Sequence, residues 1–294
     1  MIQSHKYHKQ RDKMSNVSRR DFLRGALALP MMPLVVDATQ TPLDETLKFI
    51  HITDSHMDLA DSDSVEALEL MVTFINKNYK DLDFVLFGGD NFNNNAKKKQ
   101  DALKFKKIID MLYCPSYVIR GNKESSPKSE DNINQKDFKD IFLQDKALFV
   151  QGKNWMLQKK GYVVLGLDSC INGANNGIYD TDTMEFAKVF LKNHKPTVIL
   201  NHHPYTNYWH TTDKKELHKY VLNNTKEVQA ELFSFDNLIL TLSGHKHIDS
   251  TTKINKAKVI VTRGFIRPLD LDMYPMKYIE ITDSKVSEKL IYTS

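Results

Sequence analysis

Five apolar, strand-like stretches of this chain each run into a side chain that can bind a metal ion. Residues 47–52 form the first stretch, and Asp54 and His56 follow it. The other four stretches are followed in turn by Asp90, by Asn122, by His202, and by the pair His245 and His247. The carboxyl ends of parallel strands meet at one edge of an α/β sheet, and such folds bind their ligands there. The pattern therefore predicts an α/β protein with one site assembled from separate strand ends.

Segments with a helical spacing of apolar residues lie between these strands. They cover residues 65–79, 96–112, 181–193 and 214–235. Strand-like stretches continue almost to the C-terminus, and no repeat, low-complexity segment or linker interrupts the alternation. We therefore predict one layered α/β domain over residues 39–294.

The first 38 residues are predicted to be a targeting segment. Arg19 and Arg20, followed by Phe-Leu and by an apolar stretch over residues 25–36, resemble a twin-arginine export signal. That stretch contains two prolines and is too short for a membrane-spanning helix. We predict a signal peptide and basic tail over residues 1–38, cleavage after Ala38, recognition by the twin-arginine translocation machinery and export to the periplasm. The alternative is a disordered basic tail with a chance pair of arginines.

Charge and cysteine content argue against two other classes of protein. The N-terminal 38 residues carry seven Lys or Arg against three Asp, and the rest of the chain has 34 basic and 34 acidic residues. A near-neutral domain is poorly suited to neutralising many nucleic-acid phosphates, so nucleic acid is not an expected partner. Cys114 and Cys170 have neither metal-site nor disulfide-framework spacing, and we expect them to be small buried hydrophobic residues.

The residue types at the strand ends indicate the kind of metal site. Carboxylate, amide and imidazole groups together suit Mn, Fe, Zn or Co without deciding among them. Seven such side chains suit two divalent cations that share one bridging carboxylate. Gly88, Gly89 and Gly121 let the backbone turn sharply beside these residues. Any one of the seven could be an ordinary loop side chain, and the prediction depends on their joint arrangement.

The ordered segments ITDSH, GGDN, GNKE, NHHP and GHKH resemble those of the calcineurin-like metallophosphoesterase family. The resemblance covers residues 48–262 and implies a four-layered α/β/β/α sandwich with its metal site at the carboxyl ends of strands. It also implies which side chains bind each ion. One metal would be held by Asp54, His56 and His247, the other by Asn122, His202 and His245, and the two would be bridged by Asp90.

Two further features of the sequence refine the resemblance. The family's ligand in the fourth segment stands two residues before a proline, which selects His202 over His203 because Pro204 follows. The purple acid phosphatase branch has a metal-binding Tyr three residues after the bridging Asp. This chain has Asn93 there, so a purple Fe(III) centre is not expected.

The resemblance implies a phosphoric ester hydrolase in which a hydroxide bridging two divalent metal ions attacks a phosphate ester. We expect a phosphodiesterase acting on small-molecule diesters, because relatives with similar fourth and fifth segments include diester hydrolases. The alternatives are a phosphomonoesterase and a metal-binding protein with weak or lost turnover.

The third segment departs from the family pattern. The family commonly has GNHD, in which the His can assist the leaving group and the Asp orients it, whereas this chain has Lys123 and Glu124. A lysine cannot match the near-neutral proton transfer of an imidazole unless its pKa is strongly lowered. We therefore expect Lys123 to act as a catalytic residue that stabilises charge on the bound phosphate.

Overall fold

The computed structural model describes residues 45–206, 221–266 and 273–293, which contain two β-sheets and five α-helices. The predicted export signal lies outside these residues, so the domain boundary at residue 39 stays a prediction. In the described part of the chain, no helix is long and apolar enough to cross a membrane.

The first sheet has five strands, with bounds β1 (Leu47–Ile52), β2 (Phe84–Phe87), β3 (Ser116–Val118), β11 (Pro275–Thr282) and β12 (Lys285–Tyr292). Their order is β12-β11-β1-β2-β3. Strands β1, β2 and β3 are parallel, whereas the hairpin of β11 and β12 joins β1 in antiparallel orientation. The three parallel strands therefore present their carboxyl ends at one edge.

The second sheet has seven strands, with bounds β4 (Leu148–Gln151), β5 (Asn154–Lys159), β6 (Tyr162–Gly166), β7 (Thr197–Leu200), β8 (Leu238–Ser243), β9 (Ser250–Ile254) and β10 (Ala257–Val261). Their order is β4-β5-β6-β7-β8-β10-β9. Strands β6, β7, β8 and β10 are parallel and fully or mostly buried, while the outer strands pair in antiparallel orientation. This is the burial expected of parallel strands covered on both faces.

Helices cover the outer face of each sheet, and their bounds are α1 (Ser62–Asn78), α2 (Gln100–Ile109), α3 (Gln135–Phe142), α4 (Thr181–Leu191) and α5 (Thr225–Leu232). The first three pack in one core with both sheets, and the last two pack in a second core against the second sheet alone. Strand β6 divides its side chains accordingly. Val164 lies in the first core, and Val163 and Leu165 lie in the second. The predicted four-layered α/β/β/α sandwich is confirmed.

Local structure differs from the sequence prediction in three places. Of the helix predicted over residues 214–235, residues 214–220 lie outside the described residues, and the described part is helical only over α5 (Thr225–Leu232). The helix predicted over residues 96–112 is a short 3-10 turn, Lys97–Lys99, followed by α2, because Lys98 and Lys99 have φ values of 55° and 60°. Helix α3 and strands β4, β5, β9 and β12 were not predicted individually. All four strands contain exposed residues, and β4 and β9 have no fully buried residue, so few apolar residues mark them in the sequence. Both cysteines are free, and Cys170 is buried while Cys114 is half-buried.

Candidate metal centre

All seven predicted ligands lie just beyond the carboxyl ends of parallel strands. The first sheet supplies four of them, Asp54 and His56 after β1, Asp90 after β2 and Asn122 after β3. The second sheet supplies the other three, His202 after β7 and the pair His245 and His247 after β8. The site therefore lies between the two sheets and draws on both.

Asp54, His56 and His247 converge on one point. Asp54 Oδ1 lies 3.2 Å from His247 Nε2 and 3.8 Å from His56 Nε2, and the two imidazole nitrogens are 3.2 Å apart. Among the described residues, this fully buried carboxylate oxygen accepts no well-aligned hydrogen bond. A buried charged oxygen without a hydrogen bond is costly, and a cation bound by these three side chains would satisfy it.

Asn122, His202 and His245 form the second group. Asn122 Oδ1 lies 3.2 Å from His202 Nε2, and the rings of His202 and His245 have centroids 5.0 Å apart. His203 also lies within metal-binding reach of these two histidines. Its Nδ1 is 2.8 Å from Ser169 Oγ and its Nε2 is 3.2 Å from the Asn175 carbonyl oxygen. Both ring nitrogens of His203 therefore have protein partners, which fits a supporting role.

Asp90 lies between the two groups. Its Oδ1 is 3.5 Å from His202 Nε2 in the second group, and its Oδ2 is 3.7 Å from His56 Nε2 in the first. The two oxygens of one carboxylate thus face different groups, which is the geometry that a bridging ligand needs. The chemistry and placement of the side chains fit two divalent ions, and the assignment of each ligand stays a prediction.

The backbone at the centre is strained. Five of the seven predicted ligands have positive φ: Asp54 at 55°, His56 at 45°, Asp90 at 50°, His245 at 67° and His247 at 55°. Such conformations cost about 1–3 kcal/mol each for residues other than glycine and concentrate at functional sites. Hydrogen bonds between the loops stabilise two of these strained residues. Asp54 N–H donates to the Gly89 carbonyl at 3.0 Å, and His56 N–H donates to the Asp90 carbonyl at 2.9 Å.

Glycine is required where these loops touch. A Cβ added to Gly121 would lie 2.1 Å from Asp90 N, and one added to Gly244 would lie 2.3 Å from Asp54 Oδ2. Neither contact is tolerable, because real Cβ atoms do not approach other heavy atoms closer than about 3 Å. Gly121 therefore lets the loop after β3 lie against the Asp90 loop, and Gly244 lets the loop after β8 lie against Asp54.

Glu124 holds the loop that carries Asp90. Its fully buried carboxylate accepts four backbone hydrogen bonds, from Gly121 at 2.7 Å, Asp90 at 3.1 Å, Asn91 at 2.6 Å and Phe92 at 3.1 Å. Burial and the Asp90 carboxylate raise the pKa of Glu124 to about 7. From the sequence, this position was expected only to orient residue 123. Its hydrogen bonds to the Asp90 loop could not be predicted, because three of the four donors lie more than 30 residues away in sequence.

The electrostatics of the site favour bound positive charge. Burial opposes ionisation of Asp54 and Asp90, yet the surrounding histidines hold the pKa of both carboxyl groups below its usual value. Burial likewise disfavours a charged His202, but Asp90 outweighs it and raises the pKa of His202 to about 9. The carboxylates of this site therefore favour positive charge on their neighbours, and the same negative charge would favour the binding of divalent cations.

Lys123 is half-buried beside this centre. Its backbone N–H donates to Asp90 Oδ1 at 2.7 Å. Burial lowers the pKa of His56, and the Lys123 ammonium contributes to the same lowering. The positive charge of Lys123 is therefore felt at the first group of ligands.

Two nearby residues have other partners. Asn93 Nδ2 donates to Asp58 Oδ2 at 2.8 Å, so the position that holds a tyrosine in purple acid phosphatases is engaged elsewhere. Asp168, which follows β6, forms a buried 2.6 Å ion pair with Arg120. The carboxylate of Asp168 therefore has a structural partner.

A two-sheet sandwich with carboxylates and imidazoles collected at its strand ends defines a class of metal-dependent hydrolases. The model of the calcineurin-like phosphoesterase family matches residues 47–249, and the chain belongs to that family. It is therefore a phosphoester hydrolase, and the family implies divalent metal ions as cofactors. A search of curated proteins finds no match.

Solved structures with similar folds include three that bear on the comparison. A dimetal phosphatase from Danio rerio has 13% identity and a TM-score of 0.62, with 84% of this chain and 99% of that chain covered. A purple acid phosphatase from yellow lupin seeds has 11% identity and a TM-score of 0.58, covering 86% and 52%. GAP50, the anchor in the inner membrane complex of Plasmodium, has 10% identity and a TM-score of 0.50, covering 85% of each chain. At these identities the likeness concerns the fold.

Proposed function

We propose that this chain is a dinuclear metal-dependent phosphodiesterase that hydrolyses small-molecule diesters. The observation that carries the proposal is the position of Asp90, whose two carboxylate oxygens face two separate groups of ligands. When bound, a pair of divalent ions polarises the phosphoryl group and supplies an activated water as the nucleophile.

The side chains of the chain would hold these ions in place. Asp54, His56 and His247 would hold the first ion, Asn122, His202 and His245 would hold the second, and Asp90 would be shared. The imidazole of His202 is oriented by its other nitrogen, since Nδ1–H donates to the Gly88 carbonyl at 2.9 Å and leaves Nε2 to face the site. Such a second hydrogen bond fixes the tautomer that a metal ligand needs.

The preference for diesters rests on the resemblance of the NHHP and GHKH segments to those of diester hydrolases. The near-neutral charge of the domain supports a small substrate over a nucleic acid. A phosphomonoesterase is the first alternative. The second is a metal-binding protein with little turnover, for which the Plasmodium anchor offers an example of this fold in another role.

A substrate panel tests these three possibilities. Protein loaded with Mn²⁺ should hydrolyse bis(p-nitrophenyl) phosphate with a higher kcat/KM than p-nitrophenyl phosphate, and a chelator should abolish both activities. A reversed preference would favour the phosphomonoesterase. Two bound metals without turnover on cyclic nucleotides, glycerophosphodiesters or either chromogenic ester would favour the metal-binding protein.

We predict that Lys123→Ala lowers kcat/KM by about 10- to 100-fold. Lys123 directly follows Asn122, its backbone N–H donates to Asp90, and its ammonium contributes to lowering the pKa of His56, so its charge would help neutralise a phosphate bound at the centre. Removing a preorganised donor costs about 10²- to 10³-fold, and partial solvent access of the side chain reduces this loss. A charge-stabilising residue aids all leaving groups alike, so p-nitrophenyl and alkyl diesters should lose similar amounts of activity.

The matched control is Lys128→Ala, which removes an exposed lysine from the loop that follows and should leave kcat/KM unchanged. A much larger loss on alkyl esters than on p-nitrophenyl esters would show Lys123 donating the leaving-group proton instead. The charge-only role would then have to be abandoned.

We further propose that the protein is exported folded to the periplasm through the twin-arginine route, from the sequence of Arg19 and Arg20 and the apolar stretch after them. Replacing both arginines by lysine keeps the charge and should leave the protein in the cytoplasm. Arg24→Lys, just outside the pair, is the control and should be exported normally. Normal export of the double variant, measured by cell fractionation, would refute this proposal.

A further inference from the structure

Asn122 must present its amide oxygen, and not its nitrogen, to a metal ion, because only the oxygen can act as a ligand. In the structure, Asn122 Oδ1 lies on the side of His202, 3.2 Å from Nε2. The amide nitrogen points the other way and donates to Asn175 Oδ1 at 3.4 Å. Asn175 is therefore the acceptor that distinguishes the two ends of the Asn122 amide.

The loop that carries Asn175 is fixed at several points. The two ends of the loop are joined by a hydrogen bond from Ile178 N–H to the Ser169 carbonyl at 2.8 Å. Gly173 N–H donates to the Ser125 carbonyl at 3.0 Å, which joins this loop to the one that carries Asn122. These bonds hold residues 170–177 in place independently of the Asn175 side chain.

The buried His203 adds an anchor from the metal side. Its Nε2–H donates to the Asn175 carbonyl at 3.2 Å, while Nδ1 accepts from Ser169 Oγ–H at 2.8 Å. The loop also packs closely on this ring, because a Cβ added to Gly177 would lie 2.3 Å from His203 Nδ1. The side chain of Asn175 itself is exposed, so its replacement removes one contact without opening the core.

We propose that Asn175 is a positioning residue that keeps the Asn122 amide oxygen turned toward the second metal ion. This role rests on the proposed two-metal centre. It needs an acceptor at position 175 and makes no use of the Asn175 amide nitrogen. It also concerns one metal only, because among the described residues Asp54, His56 and His247 form no hydrogen bond with the Asn122 side chain.

Calorimetric titration of the metal-free protein with Mn²⁺ tests the role. Asn175→Ala should weaken one of the two binding steps by about 10- to 100-fold, the usual loss on removing an outer hydrogen-bond partner of a ligand. The affected step should be the one that His202→Asn also weakens. Asn175→Asp retains an acceptor and should restore wild-type affinity to within about threefold. Activity of the Ala variant should recover as Mn²⁺ is raised.

The neighbouring amide Asn176, whose Nδ2 donates to Asn223 Oδ1 at 3.1 Å, supplies the control. Asn176→Ala should leave both binding steps unchanged. Equal weakening of both steps in Asn175→Ala, no weakening at all, or a failure of Asn175→Asp to restore binding would overturn the positioning role. Wild-type protein that binds fewer than two ions would instead overturn the metal centre proposed above, and this role with it.

Discussion

Replacing Asp90 by asparagine is expected to remove both metal ions and nearly all turnover. Asparagine tolerates the left-handed backbone at φ 50° and has the same shape, so the change acts on charge rather than on backbone strain. It leaves a neutral amide with one oxygen where two carboxylate oxygens face the two groups of ligands. We expect kcat/KM to fall by at least about 10³-fold, because a metal pair stabilises several kcal/mol of charge in the transition state.

Elemental analysis and diester hydrolysis measure this result together. The bound metal should fall from near two ions per chain to below one. Asp58→Asn is the matched control, since Asp58 accepts hydrogen bonds from Asn93 and Asn95 on the same loop and lies outside the centre. Two tightly bound ions in Asp90→Asn would show that Asp90 does not bridge them.

Glu124→Gln is expected to destabilise the whole domain as well as the metal centre. The glutamine side chain can accept at one oxygen only, so its NH₂ group must face two of the four N–H donors that the carboxylate now satisfies. Each buried amide left without an acceptor costs about 1–3 kcal/mol. We expect the free energy of unfolding to fall by about 3 kcal/mol, which corresponds to roughly 6–12 °C in Tm for a domain of this size.

Thermal unfolding of the metal-free proteins isolates this effect from metal binding. Glu130→Gln changes an exposed carboxylate in the same region and should shift Tm by no more than about 2 °C. If Glu124→Gln shifted Tm as little as that control, the four hydrogen bonds would contribute nothing net. Mn²⁺ affinity should also fall in Glu124→Gln, because the clamped loop positions Asp90.

The parts of the fold that the sequence predicts well are those with strong local signals. Strand β1 is a mostly buried run of mainly apolar residues, and Asp54 stands out because it places a carboxylate two residues after the strand ends. The same contrast between a buried strand and a polar end occurs at β2, β3, β7 and β8, so the strand-end positions could be predicted before any contact between them was known.

The features that the sequence did not predict depend on contacts between segments that are distant in the chain. Strand β4 has half-buried residues and one exposed residue, with no clear alternation to mark it. Glu124 looks like an ordinary acid until the loop after β2 folds against it. Asn175 lies in a polar loop of common residues and gains its contact with Asn122 only when β3 and β6 are placed in different sheets of one sandwich.

Because the predicted ligands are divided between the two sheets, metal binding would contribute to the stability of the folded domain. Neither sheet alone supplies a complete group of ligands. The first group takes His247 from the second sheet, and the second group takes Asn122 from the first sheet. Ions bound there would hold the sheets together and would be released when the sheets separate. At a free metal concentration 100 times Kd, each site would add about 2.7 kcal/mol to stability. A chelator would therefore lower the stability of the folded domain by removing the ions that link the two sheets.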